Sequence, residues 1–244
     1  MPNDPENPTS TNNNKAETAS PTQPETDEDK TKKIIAGSLR FLASIFLVCA
    51  SVYFHPDVDT DIDSFRDFYD RIGAFFMTGF ALLGMALAFE LPSKCDKGPL
   101  IIGASTLAIA VLFIGSILTL YDVLNDINDL DAFSGCFIAG TIVLGATQIL
   151  DLIVYLRQDD RSQMLLLLSM VLAIVGTVFL FLGSVFSVED VLNDVGSNRF
   201  SNPNDIVRAV NRIYDNWERR AALFITGSVL YMVHAITYLI DALM

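Results

Sequence analysis

The sequence predicts an all-α integral membrane protein whose six transmembrane helices form three tandem parallel hairpin repeats. The first supporting observation is composition: of 244 residues, 51% are hydrophobic and only 18% are charged, whereas soluble domains carry about 25% charged residues. The second is a set of six apolar windows, each as long as the roughly 20 residues that a helix needs to cross a bilayer. The third is a short pattern that recurs in three parts of the chain, which indicates one unit used three times.

Each window is predicted to be a transmembrane helix, because lipid offers no partners to backbone N–H and C=O groups and a helix satisfies these groups internally. A very apolar soluble bundle is the alternative, but its helices would carry a polar face that these windows almost lack. In chain order the windows cover residues 34–54, 72–91, 100–120, 133–155, 164–187 and 221–243. The hairpins that pair them are predicted at residues 33–94, 95–159 and 160–244.

The segments outside the windows are predicted to lie in water or at the membrane surface. Residues 1–32 are rich in Asn, Thr, Pro and Glu without apolar periodicity, which predicts a disordered cytoplasmic tail. This tail lacks the apolar stretch and cleavage site of a signal peptide, so we expect the first helix to remain as an anchor. The third hairpin carries an insertion at about 195–217, and apolar residues at helical spacing over 204–214 predict an interfacial helix there.

Lysine and arginine near the window ends predict the orientation, because cytoplasmic loops are enriched in these residues. Basic residues precede the first window and lie in the connections after the second and fourth windows, at Lys30, Lys32, Lys33, Lys94, Lys97, Arg157 and Arg161. All of them fall on one side of the predicted bundle, so both termini are expected to be cytoplasmic. The long last outer loop is also rich in arginine, but long loops count for less in this rule.

The recurring unit has corresponding residues in each copy, which suggests a pseudo-threefold arrangement about the membrane normal. The first window of each hairpin holds a small pair, Ala50-Ser51, Gly115-Ser116 or Gly183-Ser184. In the second windows, Phe76, Phe137 and Phe224 stand three residues before Gly79, Gly140 and Gly227. Small residues let helix backbones approach closely in lipid, so the predicted helix-packing positions are Gly79, Gly115, Gly140, Gly183 and Gly227. A pore lined by small residues is the alternative.

The Gly-Ser segments also carry a family resemblance. The segment Phe224-Ile225-Thr226-Gly227-Ser228 resembles the Phe-x-x-Gly-Ser core of YrhK-like membrane domains, and residues 113–116 and 181–184 are similar. The resemblance implies short two-helix membrane units and covers the windows but not the tail. The first copy departs from it, with Ala50-Ser51 in place of Gly-Ser. The family has no assigned biochemical role, so the resemblance implies no functional residues.

One aspartate follows the first window of each hairpin, at Asp57, Asp122 and Asp190. If the hairpins surround a common axis, these carboxylates would meet at one outer mouth, where they could concentrate cations or bind calcium. Helix capping and loop solvation are the alternative and the preferred interpretation, because aspartate is a favoured N-cap residue. The three aspartates are therefore candidate cation-binding residues.

Polar and ionisable residues inside the windows are few, and such residues often mark function in membrane proteins. The candidates are Arg40, Glu90, Gln148, Asp151, His234 and Asp241. Arg40 is expected either to pair with one of the acids in a structural clamp or to reach the headgroups. A histidine at 234 suggests a pH sensor or proton relay, although a histidine hydrogen-bonded between helices is the preferred interpretation.

The chain lacks common enzyme motifs, among them HExxH, GxxxxGK[ST] and GxSxG. Its two histidines and three cysteines have no metal-ligand spacing, so we predict no enzyme activity, no cofactor and no metal site. A net charge of −13 disfavours nucleic acid as a partner. The sequence favours a multi-pass membrane protein with a structural or interaction role, whose partners are the lipid bilayer, other membrane proteins or a second copy. The alternative is a channel or transporter for a small cation or neutral solute, entered from the acidic outer mouth.

Overall fold

A computed structural model describes the protein over residues 27–55, 65–94, 99–119, 127–157, 164–195 and 203–244. The helices within these ranges are α1 (Asp27–Tyr53), α2 (Phe65–Lys94), α3 (Pro99–Leu118), α4 (Ile127–Leu156), α5 (Met164–Val195) and α6 (Pro203–Leu243). Each of the six contains a stretch that is long and apolar enough to cross a membrane. The prediction of an all-helical chain with six such helices is confirmed for the described residues.

The helices other than α3 are longer than their predicted windows, and in α1 and α5 the added residues correct a prediction. The first helix, α1, begins at Asp27, so residues 27–32 are helical instead of belonging to the tail. The fifth helix, α5, continues to Val195 and includes Asp190 well beyond its first turn. An N-cap residue precedes a helix, so the capping role expected for Asp190 is wrong.

The last helix, α6, corrects the expectation of a separate interfacial helix at 204–214. It begins at Pro203 and runs without interruption to Leu243. Proline suits the first position of a helix, where its missing N–H costs nothing. No glycine or proline follows before Gly227, so nothing in the local sequence ends the helix where the loop was expected.

The helices form a closed ring in chain order. Each helix packs against the next one along the chain, and α6 packs back against α1. At this last seam the hydroxyl oxygens of Ser51 and Ser228 are 2.8 Å apart. Gly37 of α1 lies against Tyr238 of α6, so the beginning of α1 and the end of α6 share one end of the bundle. This end is termed the terminal end, and the opposite end, which includes Phe54, is termed the distal end.

The outer surface of the bundle is apolar along each of the described helices. Large apolar side chains that are more than one-third exposed include Leu42, Met85, Leu107, Ile142, Val178 and Ile236, one from each helix. Small residues occupy much of the interior, among them the fully buried Ala43, Ala50, Ala86 and Ala108. A water-soluble bundle keeps a polar outer face on its helices, so this distribution is compatible with a multi-pass membrane protein.

Three phenylalanine rings meet on the axis of the helix ring. Phe76, Phe137 and Phe224, from α2, α4 and α6, are each at most 2% exposed. Their ring centroids are 5.1, 6.1 and 6.3 Å apart, and all three pairs are arranged edge to face. Such pairs add about 0.5–1.5 kcal/mol each beyond the burial of their area. Rings from alternate helices of a closed ring can touch only near its centre, so this phenylalanine cluster fills the axis.

A leucine from each odd-numbered helix fits against a glycine of the next helix. The pairs are Leu47 with Gly79, Leu112 with Gly140 and Leu180 with Gly227. A Cβ atom added at these glycines would approach the leucine side chains to 2.9, 2.6 and 2.9 Å, which is closer than carbon atoms pack. The glycines are therefore notches that hold the leucines, and a larger residue would push the two helices apart.

The two remaining predicted packing glycines lie against the phenylalanine cluster. A Cβ atom added at Gly115 would come within 3.0 Å of the Phe137 ring, and one at Gly183 within 3.1 Å of the Phe224 ring. At these two glycines, α3 and α5 therefore approach the phenylalanine rings as closely as a backbone without a side chain allows.

We expect Gly140→Ala to destabilise the bundle, because the new methyl group would meet the Leu112 side chain at 2.6 Å. Leu112 has little room to move, since it is only 1% exposed. Overpacking a filled core typically costs about 1–3 kcal/mol. The midpoint of thermal unfolding in detergent should therefore fall by several degrees.

Gly135→Ala is the matched control in the same helix, because nothing lies within 4 Å of a Cβ atom added there. Alanine is also the better helix former. We expect this variant to be at least as stable as the parent protein. Equal losses of stability in Gly135→Ala and Gly140→Ala would contradict the role of Gly140 as the notch that holds Leu112.

Candidate functional site

The polar residues that the sequence singles out inside the helices lie in the terminal half of the bundle. Several of them lie at the same level along the bundle axis. Glu90, Asp151 and Tyr238 each follow the notch glycine of their own helix by eleven residues. A helix rises about 1.5 Å per residue, so all three positions lie roughly 16 Å from the notches along the axis. Three aligned helices thus bring two carboxylates and a phenol to one level.

A buried ion pair joins α1 to α2 at this level. Arg40 Nη2 lies 2.7 Å from Glu90 Oε2, and the two side chains are 17% and 2% exposed. The guanidinium carbon of Arg40 also lies 4.6 Å from the centroid of the Tyr238 ring in α6. Both contacts attract the cation, one through a charge-assisted hydrogen bond and the other through the aromatic face. One arginine therefore ties three helices together.

Asp151 of α4 is a further acid beside this arginine. It interacts electrostatically with Arg40, and its buried Oδ1 atom has no hydrogen-bond partner among the described residues. Asp241 stands three residues after Tyr238 on α6, a spacing that places both on one helix face. The terminal end of the bundle therefore holds more carboxylates than cations among its described side chains.

Gln148, Thr177 and Tyr231 form a closed hydrogen-bonded triangle between α4, α5 and α6. Gln148 Nε2 donates to Tyr231 Oη. Thr177 Oγ1 lies 2.8 Å from Gln148 Oε1 and 2.9 Å from Tyr231 Oη. With Tyr231 donating to Thr177 and Thr177 donating to Gln148, each residue donates once and accepts once. The triangle thereby satisfies both hydroxyl groups at a site buried away from water.

His234 of α6 is clamped to Ser169 of α5. Its Nδ1 atom lies 2.8 Å from Ser169 Oγ and 2.9 Å from the Ser169 backbone oxygen. A carbonyl oxygen can only accept, so this geometry assigns the ring proton to Nδ1. The Ser169 hydroxyl lies 3.3 Å from the backbone oxygen of His234 and donates to it. The histidine ring is flanked by the rings of Tyr231 and Tyr238, whose centroids are 5.8 and 6.4 Å away.

These groups form one polar column that starts near the middle of the axis and reaches the terminal end. The polar column is defined by Gln148, Thr177, Tyr231, Ser169, His234, Tyr238, Arg40, Glu90 and Asp151. Its members come from five helices, and the described part of α3 contributes none. A continuous run of polar side chains can hold an ion, a proton or a polar ligand where the surrounding core cannot.

Next to the polar column, on its distal side, the axis is lined mainly by apolar side chains. A cavity of about 10 Å³ next to the polar column is lined mainly by leucine and phenylalanine side chains, with Thr141 and Tyr231 as the polar exceptions. A bound water needs at least about 10–15 Å³ and two or more polar partners. The phenylalanine cluster closes the distal side of this cavity. The polar column therefore ends at this cavity, and the phenylalanine cluster lies beyond it.

The predicted cation site at the outer mouth lies outside the described side chains. Asp57 and Asp122 fall outside the described residues, and Asp190 is described only as part of the α5 backbone. Among the side chains that the structure does describe, no group of three or more His, Cys, Asp or Glu is arranged to hold a metal ion. The polar column is therefore the candidate functional site.

Four members of the polar column were missed by sequence reasoning, namely Ser169, Thr177, Tyr231 and Tyr238. Tyr238 could have been found, because it occupies the position of Glu90 and Asp151 relative to the notch glycines. Serine, threonine and tyrosine are otherwise ordinary residues of apolar helices, and no local pattern sets these apart.

We expect Glu90→Gln to destabilise the bundle more than the double variant Arg40→Gln/Glu90→Gln does. Removing one partner of a buried pair leaves an uncompensated charge, at a cost of about 3–5 kcal/mol, whereas removing both partners removes that penalty. Unfolding midpoints of the parent, the two single variants and the double variant in one detergent measure the coupling.

The control cycle uses Lys32 and Glu28, whose charged groups are 2.6 Å apart on the exposed beginning of α1. Water screens such a pair, so Lys32→Gln and Glu28→Gln should have small and additive effects. Additive losses at Arg40 and Glu90 would contradict a coupled buried pair.

Comparison with known proteins links this chain to none of them: no family model, no curated protein and no solved structure matches it. A proposal about function therefore rests on the helix ring and the polar column themselves.

Proposed function

We propose that this chain is an integral multi-pass membrane protein built from three tandem hairpin repeats, with a structural or interaction role and no catalytic activity. The observation that carries the proposal is the packed axis, where the phenylalanine cluster and the leucine notches border a cavity of about 10 Å³. Close-packed interiors have low compressibility. A bundle packed in this way acts as a rigid membrane element instead of a conduit.

The outer surface supports insertion into a bilayer. Side chains such as Leu107 and Ile142, which are 58% and 54% exposed, would face water in a soluble protein. Soluble monomers rarely carry contiguous apolar patches above a few hundred square ångströms, whereas here every described helix contributes to an apolar belt. Lipid is the partner that such a belt fits.

Recurring contacts support the three-hairpin organisation. The leucine-in-notch contact occurs between α1 and α2, between α3 and α4, and between α5 and α6. The three aligned phenylalanines share one axis, as a pseudo-threefold arrangement about the membrane normal requires. Two-helix units of this kind agree with the proposed kinship to YrhK-like membrane domains. Lysines close to both ends of the first hairpin favour a cytoplasmic terminal end.

A channel or transporter for a small cation or neutral solute is the alternative, and the described residues do not favour it. Its axial route would have to pass Phe76, Phe137 and Phe224, which are at most 2% exposed and in mutual contact. A hydrated ion would need these rings to separate, against the packing that holds the even-numbered helices together.

Reconstitution into liposomes distinguishes a rigid membrane element from a channel or transporter. We expect the purified protein to float with the liposomes and to resist alkaline extraction, because its apolar belt is embedded in lipid. Permeability to potassium, calcium and a small neutral solute should stay at the level of protein-free liposomes. Cation flux that disappears when Asp57, Asp122 and Asp190 are all changed to Asn would establish the channel instead.

The interaction role has its own test in native membranes. After extraction in a mild detergent, we expect the full-length chain to migrate as an assembly larger than one chain, either with a second copy or with another membrane protein. The Gly140→Ala variant, with its helices pushed apart, should lose this assembly before it loses membrane insertion. A monomer at every detergent and protein concentration would contradict the role.

A further inference from the structure

The histidine clamp is built so that the ring can accept a proton without losing its partner. Both contacts between His234 and Ser169 use Nδ1, and the carbonyl oxygen requires a proton there. A further proton from water therefore adds to Nε2 and gives an imidazolium. The Nδ1–H bond to the Ser169 backbone oxygen persists in both states, so α5 and α6 stay joined.

The polar column around the clamp carries more formal negative than positive charge. Titratable and charged groups reach this part of the polar column from each neighbouring helix that carries them: Arg40, Glu90, Asp151, Tyr231, Tyr238 and Asp241. Among the described side chains, those of α3 and those of α5 over residues 164–186 include no ionisable group. Three carboxylates against one guanidinium leave a formal surplus of negative charge, which an imidazolium at 234 would reduce.

The route to the histidine is polar on one side and blocked on the other. Towards the terminal end, the ring is followed by Tyr238 and then by Arg40, which is 17% exposed. Towards the distal end come the hydrogen-bonded triangle, the small apolar cavity and the phenylalanine cluster. Protons can pass along polar side chains and transient waters, but not through packed phenyl rings.

We propose that His234 is a reversible internal proton-binding site that exchanges with water at the terminal end and is sealed from the distal end. The site binds a proton at Nε2, while Ser169 holds Nδ1. A membrane element with such a site responds to the pH on one side of the bilayer only, which goes beyond a purely structural role.

The test is a direct titration of the ring in the full-length protein. His55 is the only other histidine, so His55→Gln leaves a single imidazole for histidine-selective 15N labelling in lipid nanodiscs. Nuclear magnetic resonance from about pH 4 to pH 9 covers the range in which imidazole titrates. We expect a neutral ring protonated on Nδ1 at high pH and one reversible step to a doubly protonated ring. A ring that keeps one state throughout, or is neutral with its proton on Nε2, would overturn the proposal.

Charge variants test whether the polar column sets the protonation. Arg40→Gln removes a nearby cation and Glu90→Gln removes a nearby anion, so the two variants should move the titration step in opposite directions. We expect shifts of about half a pH unit or more for one neighbouring charge. The exposed control, Glu28→Gln, should leave the step in place. A titration step that stays at the same pH in both Arg40→Gln and Glu90→Gln would overturn the assignment. If either variant fails to fold, the titration of the parent protein still tests the proposal.

One-sided access is tested by thiol labelling after Cys49, Cys95 and Cys136 have been changed to Ser. Asp151→Cys places a thiol at the terminal end of the column, and Leu112→Cys places one on the filled axis, where the side chain is 1% exposed. A charged, membrane-impermeant methanethiosulfonate should modify the first at least about tenfold faster, because thiol reactivity follows access to water. If Leu112→Cys is modified as fast as Asp151→Cys or faster, water reaches the axis, and the proposal that the site is closed towards the distal end is overturned.

Discussion

The fit of leucine side chains into glycine notches sets how closely the six described helices approach one another. Lipid tails are as apolar as leucine, so no hydrophobic driving force pulls helices together inside a bilayer, and close packing must do so. Bare backbone at Gly79, Gly140 and Gly227 gives the leucines room. The same closeness brings Phe76 and Phe137 to 5.1 Å between centroids. A wider spacing would open the axis and separate the polar groups that lie farther along it.

The polar column depends on this packing because its members come from helices far apart in the chain. Arg40 and Glu90 are separated by fifty residues, and Ser169 and His234 by sixty-five. Polar groups placed in an apolar core are costly unless they bond to one another, and here hydroxyl, amide, imidazole and guanidinium groups do so. The column therefore serves two purposes: it clamps the terminal half of the bundle, and it keeps titratable groups inside a core that is mainly apolar.

Much of the fold can be predicted from the sequence, because a length and an apolarity suited to crossing a membrane can be recognised in each helix separately. The notch glycines are also predictable, since the repeat aligns them. The candidate site is only half predictable. Arg40 and His234 stand out in apolar windows, but their partners depend on which helices become neighbours in the ring, and no local pattern encodes that. Ser169 is ordinary in such a helix, and only the histidine opposite gives it a role. The continuity of α6 is not evident from the sequence, because the charged residues between the predicted interfacial helix and the last window favour a break between two helices.

An experimental structure in lipid nanodiscs, at a resolution that separates aromatic rings, tests the central claim of a filled axis most directly. The account predicts that Phe76, Phe137 and Phe224 meet edge to face with centroids 5.1 to 6.3 Å apart. It also predicts that lipid, not water, lies against the outer apolar side chains. A water-filled centre, or phenylalanine rings turned out towards the lipid, would contradict it.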